Sequence, residues 1–242
     1  MKLKAIGERS NQIYLLSLGM YTNESIIKNI STNQTEILNN IWSLYLWTNQ
    51  FDCDITASTL NFYKDGIPEP KYLFDVFPQR EDIWKLEPRW PIPLEDGSIH
   101  SIVIDLPFVI TPPKSPSMQN PQKWRNIISK RFASYYPAKE LYDSYYHRIK
   151  EAYRVLDEWG VCIFKCQSNI SWGVRHNVEE YSYMCWEKVW FIMVDKFTLI
   201  AKSRIIWRME KQIHSRSYTS QFLVFIKRKR KANEFIYSDL FI

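Results

Sequence analysis

The sequence predicts an open α/β fold: a mostly parallel sheet with helices on both faces and an antiparallel last strand. Three observations predict it. Strand-like and helix-like runs alternate along the chain. The runs SIVI (101–104) and VCIF (161–164) are apolar throughout, as strands covered on both faces are. The last two strand-like runs, FIMVDKFTLIAK and SQFLVFIKRK, follow each other with only a loop between them, which makes them antiparallel neighbours.

The elements follow in order. STNQTEILNNIWSLYLW carries Ile37, Ile41, Leu44 and Leu46 at near-helical spacing after a Ser/Thr-rich start, the pattern of an amphipathic helix. QFDCDI is a short strand, KYLFDVF a strand ending in Asp75, and DIWKLE a strand ending in Glu87. PLEDGS is a turn centred on Asp-Gly that leads into SIVIDLPF. PAKELYDSYYHRIKEAYRVLDEWG sets Leu141, Tyr145, Ile149, Ala152 and Leu156 on one stripe, with Pro137 at its start and Gly160 at its end. VCIFKC is the next strand and VEEYSYMCWEKVW the next helix. All 12 prolines lie between Pro68 and Pro137, so the flanking zones are free to build long regular elements.

Length and composition narrow the function. A chain of 242 residues suits one domain over 1–242 with a substantial core. Its net charge is +6, and the surplus collects late: Lys196 to Lys231 holds eleven Lys or Arg, including KRKRK at 227–231, against the single acid Glu210. That footprint suits an anionic partner. Cys53, Cys162, Cys166 and Cys185 show neither a disulfide framework nor metal-finger spacing, which points to a reduced, cytoplasmic setting and to no metal. No apolar run reaches the length of a membrane helix, and MKLKAIGERSNQ lacks a signal-peptide core.

Ligands of open α/β sheets bind beyond the carboxyl ends of the strands. Asp54, Asp75, Glu87 and Asp105 each stand at or just past such an end. One carboxylate there reads as a turn former; four point to a shared ligand rim.

With IVIDLPF at the strand end, PLEDGSIHS before it and EAYRVLDEWGVCIFK after it, the chain resembles the class I S-adenosylmethionine-dependent methyltransferases. Within that class it resembles the amino-methylating DNA methyltransferases, whose strand ends in Asp/Asn-Pro-Pro-Tyr/Phe. The resemblance implies a Rossmann-like, seven-stranded sheet, S-adenosyl-L-methionine as cofactor and DNA as substrate, with adenine N6 as acceptor and cytosine N4 as the nearest variant. It implies that Asp75 holds the cofactor's ribose hydroxyls and that Glu87 meets its adenine end. It makes Asp105, Leu106, Pro107 and Phe108 the catalytic stretch, with Phe108 stacking on the base. The family's glycine-rich first loop is replaced by FDCDITASTLNFY, which contains no glycine, so Asp54, Thr56 and Ser58 are the candidates to meet the cofactor there. Leu106 stands where the family has proline.

An exocyclic amine is a poor nucleophile until its lone pair is localised. Two acceptors on its hydrogens do this, here Asp105 and the carbonyl of Leu106, while a ring holds the flipped base. The stretch 109–136 is a long connection in which Lys114, Lys123, Trp124, Arg125, Lys130 and Arg131 interleave charge with aromatic surface, a pattern suited to nucleic acid. Two other readings stay open: a catalytically silent methyltransferase-fold protein that binds nucleic acid or serves as an accessory subunit, and an RNA amino-methyltransferase. A homodimer or a partner subunit is compatible with each.

Overall fold

The computed structural model describes residues 26–48, 50–110, 135–171, 173–203, 213–215 and 217–229. In chain order the elements are β1 (Ile30–Ser31), α1 (Gln34–Tyr45), β2 (Cys53–Asp54), β3 (Tyr72–Asp75), β4 (Trp84–Lys85), β5 (Ile99–Ile104), α2 (Ala138–Val155), β6 (Leu156–Cys166), β7 (Asn169–Ser171), β8 (Val174–His176), α3 (Val178–Lys188), β9 (Phe191–Ile200) and β10 (Thr219–Lys227). One sheet runs β1-β9-β10-β6-β5-β2-β3-β4, and β7 and β8 form a separate hairpin. Strands β2 to β6 pair in parallel, and β10 lies antiparallel between β6 and β9. This is the expected open, mostly parallel α/β sheet with an antiparallel last strand. The seven expected strands gain an eighth, because Ile30 and Ser31 pair in parallel with Thr198 and Leu199 at the β9 edge.

Alternation along the strands builds two cores. Ile102, Ile104, Cys162 and Phe164 face Leu141, Tyr145 and Ile149 of α2 and Trp186 of α3. Val103, Val161 and Ile163 face the opposite way, onto Ile37, Leu38 and Ile41 of α1. All four cysteines are buried. Between β2 and β3 no helix forms; residues 55–71 run in turns that bury Ala57, Leu60, Phe62, Tyr63 and Ile67 on the α1 side. Helices nevertheless cover both faces. Among the described residues, no helix is long and apolar enough to cross a membrane.

Several boundaries differ from the sequence reading. Asn33 caps α1 by accepting from the Thr35 N–H at 2.9 Å. Leu44 then points to solvent, 42% exposed, while Leu46 lies past the helix and joins the core. Strand β4 ends at Lys85, so Glu87 sits in the following loop. The stripe on α2 is buried as expected, but the helix ends at Val155 rather than Gly160, and Leu156 already opens β6. The cause is long-range: the Lys227 ammonium reaches back to the Tyr153 and Leu156 carbonyls, both at 2.6 Å, and closes the helix from β10. Lys227 is therefore not free for phosphate, and Lys196 pairs with Glu179 at 2.9 Å.

Gly160 works by close approach and not as a cap. A Cβ there would stand 2.9 Å from Leu156 Cδ2 and 3.0 Å from the Asp157 carbonyl oxygen. Gly160→Ala is expected to lower stability by about 1–3 kcal/mol, read as a shift in the urea midpoint at unchanged slope.

Candidate functional site

From β2 the chain winds outward through β3 and β4, and from β5 it winds the other way through β6. The order reverses between β2 and β5, and ligands bind at such a switch point. A cleft of about 1030 Å³ opens there, at the upper end of the range for small-molecule sites. All four rim carboxylates, Asp54, Asp75, Glu87 and Asp105, line it, together with Thr56, Ser58, Leu106, Pro107 and Phe108. Lys114, Lys123, Trp124, Arg125, Lys130 and Arg131 lie outside the described residues. The two ends of their segment meet at the cleft: the Tyr135 N–H donates to the Val109 carbonyl at 2.9 Å, and Tyr135 and Tyr136 line the cavity.

The loop after β2 is organised by side chains. Asp54, 1% exposed, accepts from the Thr56 N–H at 2.6 Å, from the Thr56 hydroxyl at 3.0 Å and from the Tyr63 hydroxyl at 2.7 Å. Burial outweighs these bonds, and the nearby Asp105 charge adds to it, so the Asp54 carboxyl is pushed up to about 7. Asp75 accepts from the Ser58 N–H at 2.8 Å and the Phe77 N–H at 2.7 Å. Burial raises its carboxyl above the ordinary value, and the two N–H donors oppose the rise. Ser58 (φ 47°) and Leu60 (φ 55°) take the left-handed conformation that glycine usually supplies. The loop turns sharply without glycine, and Asp75 holds Ser58 in place.

Around β5 the same alternation that builds the cores sets the site. Asp105 points to the α1 side, where Lys165 of β6 meets its Oδ2 at 2.8 Å. The Asp105 N–H donates to the Thr56 hydroxyl at 2.8 Å. Leu106 points the other way, into the α2-side core. Its carbonyl and that of Pro107 accept from the buried Tyr145 hydroxyl at 3.3 and 3.1 Å. Asn169 of the β7–β8 hairpin donates to the Phe108 carbonyl. On the far wall, the buried Arg148 guanidinium donates to the Trp90 and Glu87 carbonyls, while the Glu87 carboxylate pairs with Lys85 at 2.6 Å.

Lys165, Tyr145, Arg148 and Tyr63 were not among the residues expected from sequence. Tyr145 and Arg148 both sit on α2, where Tyr145 reads as a member of the apolar stripe. Lys165 had one available signal: a lone charge in the otherwise apolar run VCIFKC, level with Asp105 in the parallel register.

Three solved structures show a distant likeness to this chain. An assigned DNA modification methylase from Thermus thermophilus is 12% identical with a TM-score of 0.35, over 59% of this chain and 50% of that one. The chain thus spans half the length of the Thermus protein. The assigned methyltransferase in complex with the Trm112 activator of Haloferax volcanii is 10% identical with a TM-score of 0.45, over 81% of this chain and 90% of that one. An assigned type 11 methyltransferase from Sulfolobus solfataricus is 13% identical with a TM-score of 0.40, over 81% of this chain and 95% of that one. No protein-family model and no curated protein matches the chain. Strand order and the antiparallel last strand carry the fold assignment by themselves.

Proposed function

We propose that the protein is an S-adenosylmethionine-dependent methyltransferase acting on the exocyclic amine of a DNA base, adenine N6 foremost. The observation that supports it most is the pairing, at one switch-point cleft, of a cofactor-side carboxylate, Asp75, with two acceptors at the end of β5, the Asp105 carboxylate and the Leu106 carbonyl. The residues present fit the donor. Each oxygen of Asp75 is held by one N–H and keeps a second lone pair for a ribose hydroxyl. The carboxylate rim suits a cationic molecule, and the left-handed turn at Ser58 and Leu60 brings the main chain to the cleft without glycine. The bound donor supplies an electrophilic methyl group.

The chain's own residues prepare the acceptor. Asp105 and the Leu106 carbonyl each take one amine hydrogen, which turns the nitrogen lone pair out of conjugation and towards the methyl group. Phe108 stacks on the base, and Asp105 is the group placed to accept the proton that leaves the nitrogen. The Leu106 position loses the rigidity of a proline ring but gains a tether in the Tyr145 hydroxyl. Tyr145→Phe is expected to cost about 1 kcal/mol of stability and to slow transfer about fivefold if the tether contributes about 1 kcal/mol more in the transition state than in the ground state. Denaturant titration and single-turnover rates read the two effects separately.

Transfer of labelled methyl groups from S-adenosylmethionine to unmethylated DNA, with Asp105→Ala as the blank, tests the reading. Incorporation by the wild type alone supports it. Incorporation into RNA and not DNA moves the substrate class. DNA binding with neither donor binding nor transfer supports the silent, nucleic-acid-binding alternative, which the glycine-free loop favours.

A further inference from the structure

We infer that Lys165 is a positioning residue for the acceptor carboxylate: it holds one oxygen of Asp105 so that the other faces the substrate amine. The inference rests on the methyl-transfer reading above and adds a residue to it. Ile104 of β5 and Phe164 of β6 are register partners in a parallel pair, so Asp105 and Lys165 are the next step on each strand and leave the sheet together. The Lys165 ammonium lies 2.8 Å from Asp105 Oδ2, and over the rings of Phe62 and Phe222 at 5.0 and 5.6 Å from their centroids. The lysine side chain is 15% exposed and that of the aspartate 26%.

Stability alone is a weak account of this arrangement: replacing both members of a buried ion pair by apolar side chains is often neutral or stabilising, although removing one member strands the other. What the charge adds is geometry. With both lysine and rings fixed, the carboxylate plane is set and Oδ2 is occupied, which leaves Oδ1 as the acceptor at the cleft. A freely rotating carboxylate would present either oxygen at varying angles, and a reacting group misplaced by about 1 Å can cost on the order of 10²-fold in rate.

The test compares Lys165→Met and Lys165→Arg with the wild type in single-turnover methyl transfer to unmethylated DNA, with melting temperature and S-adenosylmethionine binding measured on each. Lys165→Met is expected to melt below the wild type, because it strands the part-buried Asp105 carboxylate, but to remain folded, bind the donor within about threefold, and lose on the order of 10–100-fold in kcat with little change in KM for DNA. Lys165→Arg is expected to restore much of the rate, which a purely structural role would not require. In an Asp105→Asn background, Lys165→Met is expected to have little further effect. Full activity in Lys165→Met, or losses that multiply in the double variant, overturns the positioning role while leaving the methyltransferase reading intact. Absence of transfer by the wild type overturns that reading, and the role of Lys165 with it.

Discussion

Asp105→Asn is expected to slow methyl transfer on the order of 10²–10³-fold while leaving S-adenosylmethionine binding within a few-fold of the wild type. The substitution keeps the volume and removes the charge. The Lys165 ammonium, 2.8 Å from Oδ2, carries only donors and selects the amide orientation whose oxygen faces it. The amide NH₂ then faces the cleft, and a donor meets the donor hydrogens of the substrate amine. The nitrogen lone pair stays conjugated with the base. Single-turnover rates beside calorimetric binding check this; an Asn variant that transfers at the wild-type rate would show that Asp105 is not the acceptor.

The second large effect concerns Asp54, buried in the loop that replaces the glycine-rich turn. Its carboxyl stands at about 7 in the folded protein, against roughly 3.9 in an unfolded chain. Between these values the folded state binds more protons than the unfolded one, so stability falls as pH rises through that window. Below it the group is neutral in both states and contributes no pH dependence; above it the full penalty is present. A difference of about three units corresponds to roughly 4 kcal/mol. Asp54→Asn keeps the shape and can keep the bonds, with the amide oxygen accepting from Thr56 and the amide NH₂ donating to the Tyr63 oxygen. Its melting temperature is expected to track the wild type near pH 4 and to exceed it increasingly up to pH 8, by several degrees. A difference independent of pH would contradict the assignment of a buried, readily protonated Asp54.

Much of the architecture was legible because it is written in local periodicity. The apolar runs SIVI and VCIF became the central strands β5 and β6, with alternate residues in the two cores. The α2 stripe from Leu141 to Ala152 is buried throughout. The carboxylates at the strand ends lie around one cleft, since the ends of parallel strands at a switch point converge whatever the loops do. What local periodicity does not encode are contacts made across the fold. The end of α2 is closed by Lys227, 71 positions from Leu156, whereas within KRKRK it read as part of a footprint for an anionic partner. The partner of Asp105 comes from 60 positions away. Leu106, which reads locally as a defect in the strand-end motif, is explained by Tyr145 on another element: its side chain packs in the α2-side core and its carbonyl is tethered there. The turn at Ser58 and Leu60 escapes a search for glycine because side-chain bonds to Asp54 and Asp75 hold it.

The central claim is that this cleft holds a methyl donor even though no glycine lines its first loop. Calorimetric titration of the purified protein with S-adenosylmethionine tests it most directly. Saturable binding at one site per chain, weakened at least tenfold by Asp75→Ala in a variant that remains folded, is the predicted result. A folded wild-type protein that shows no binding at millimolar donor would contradict it.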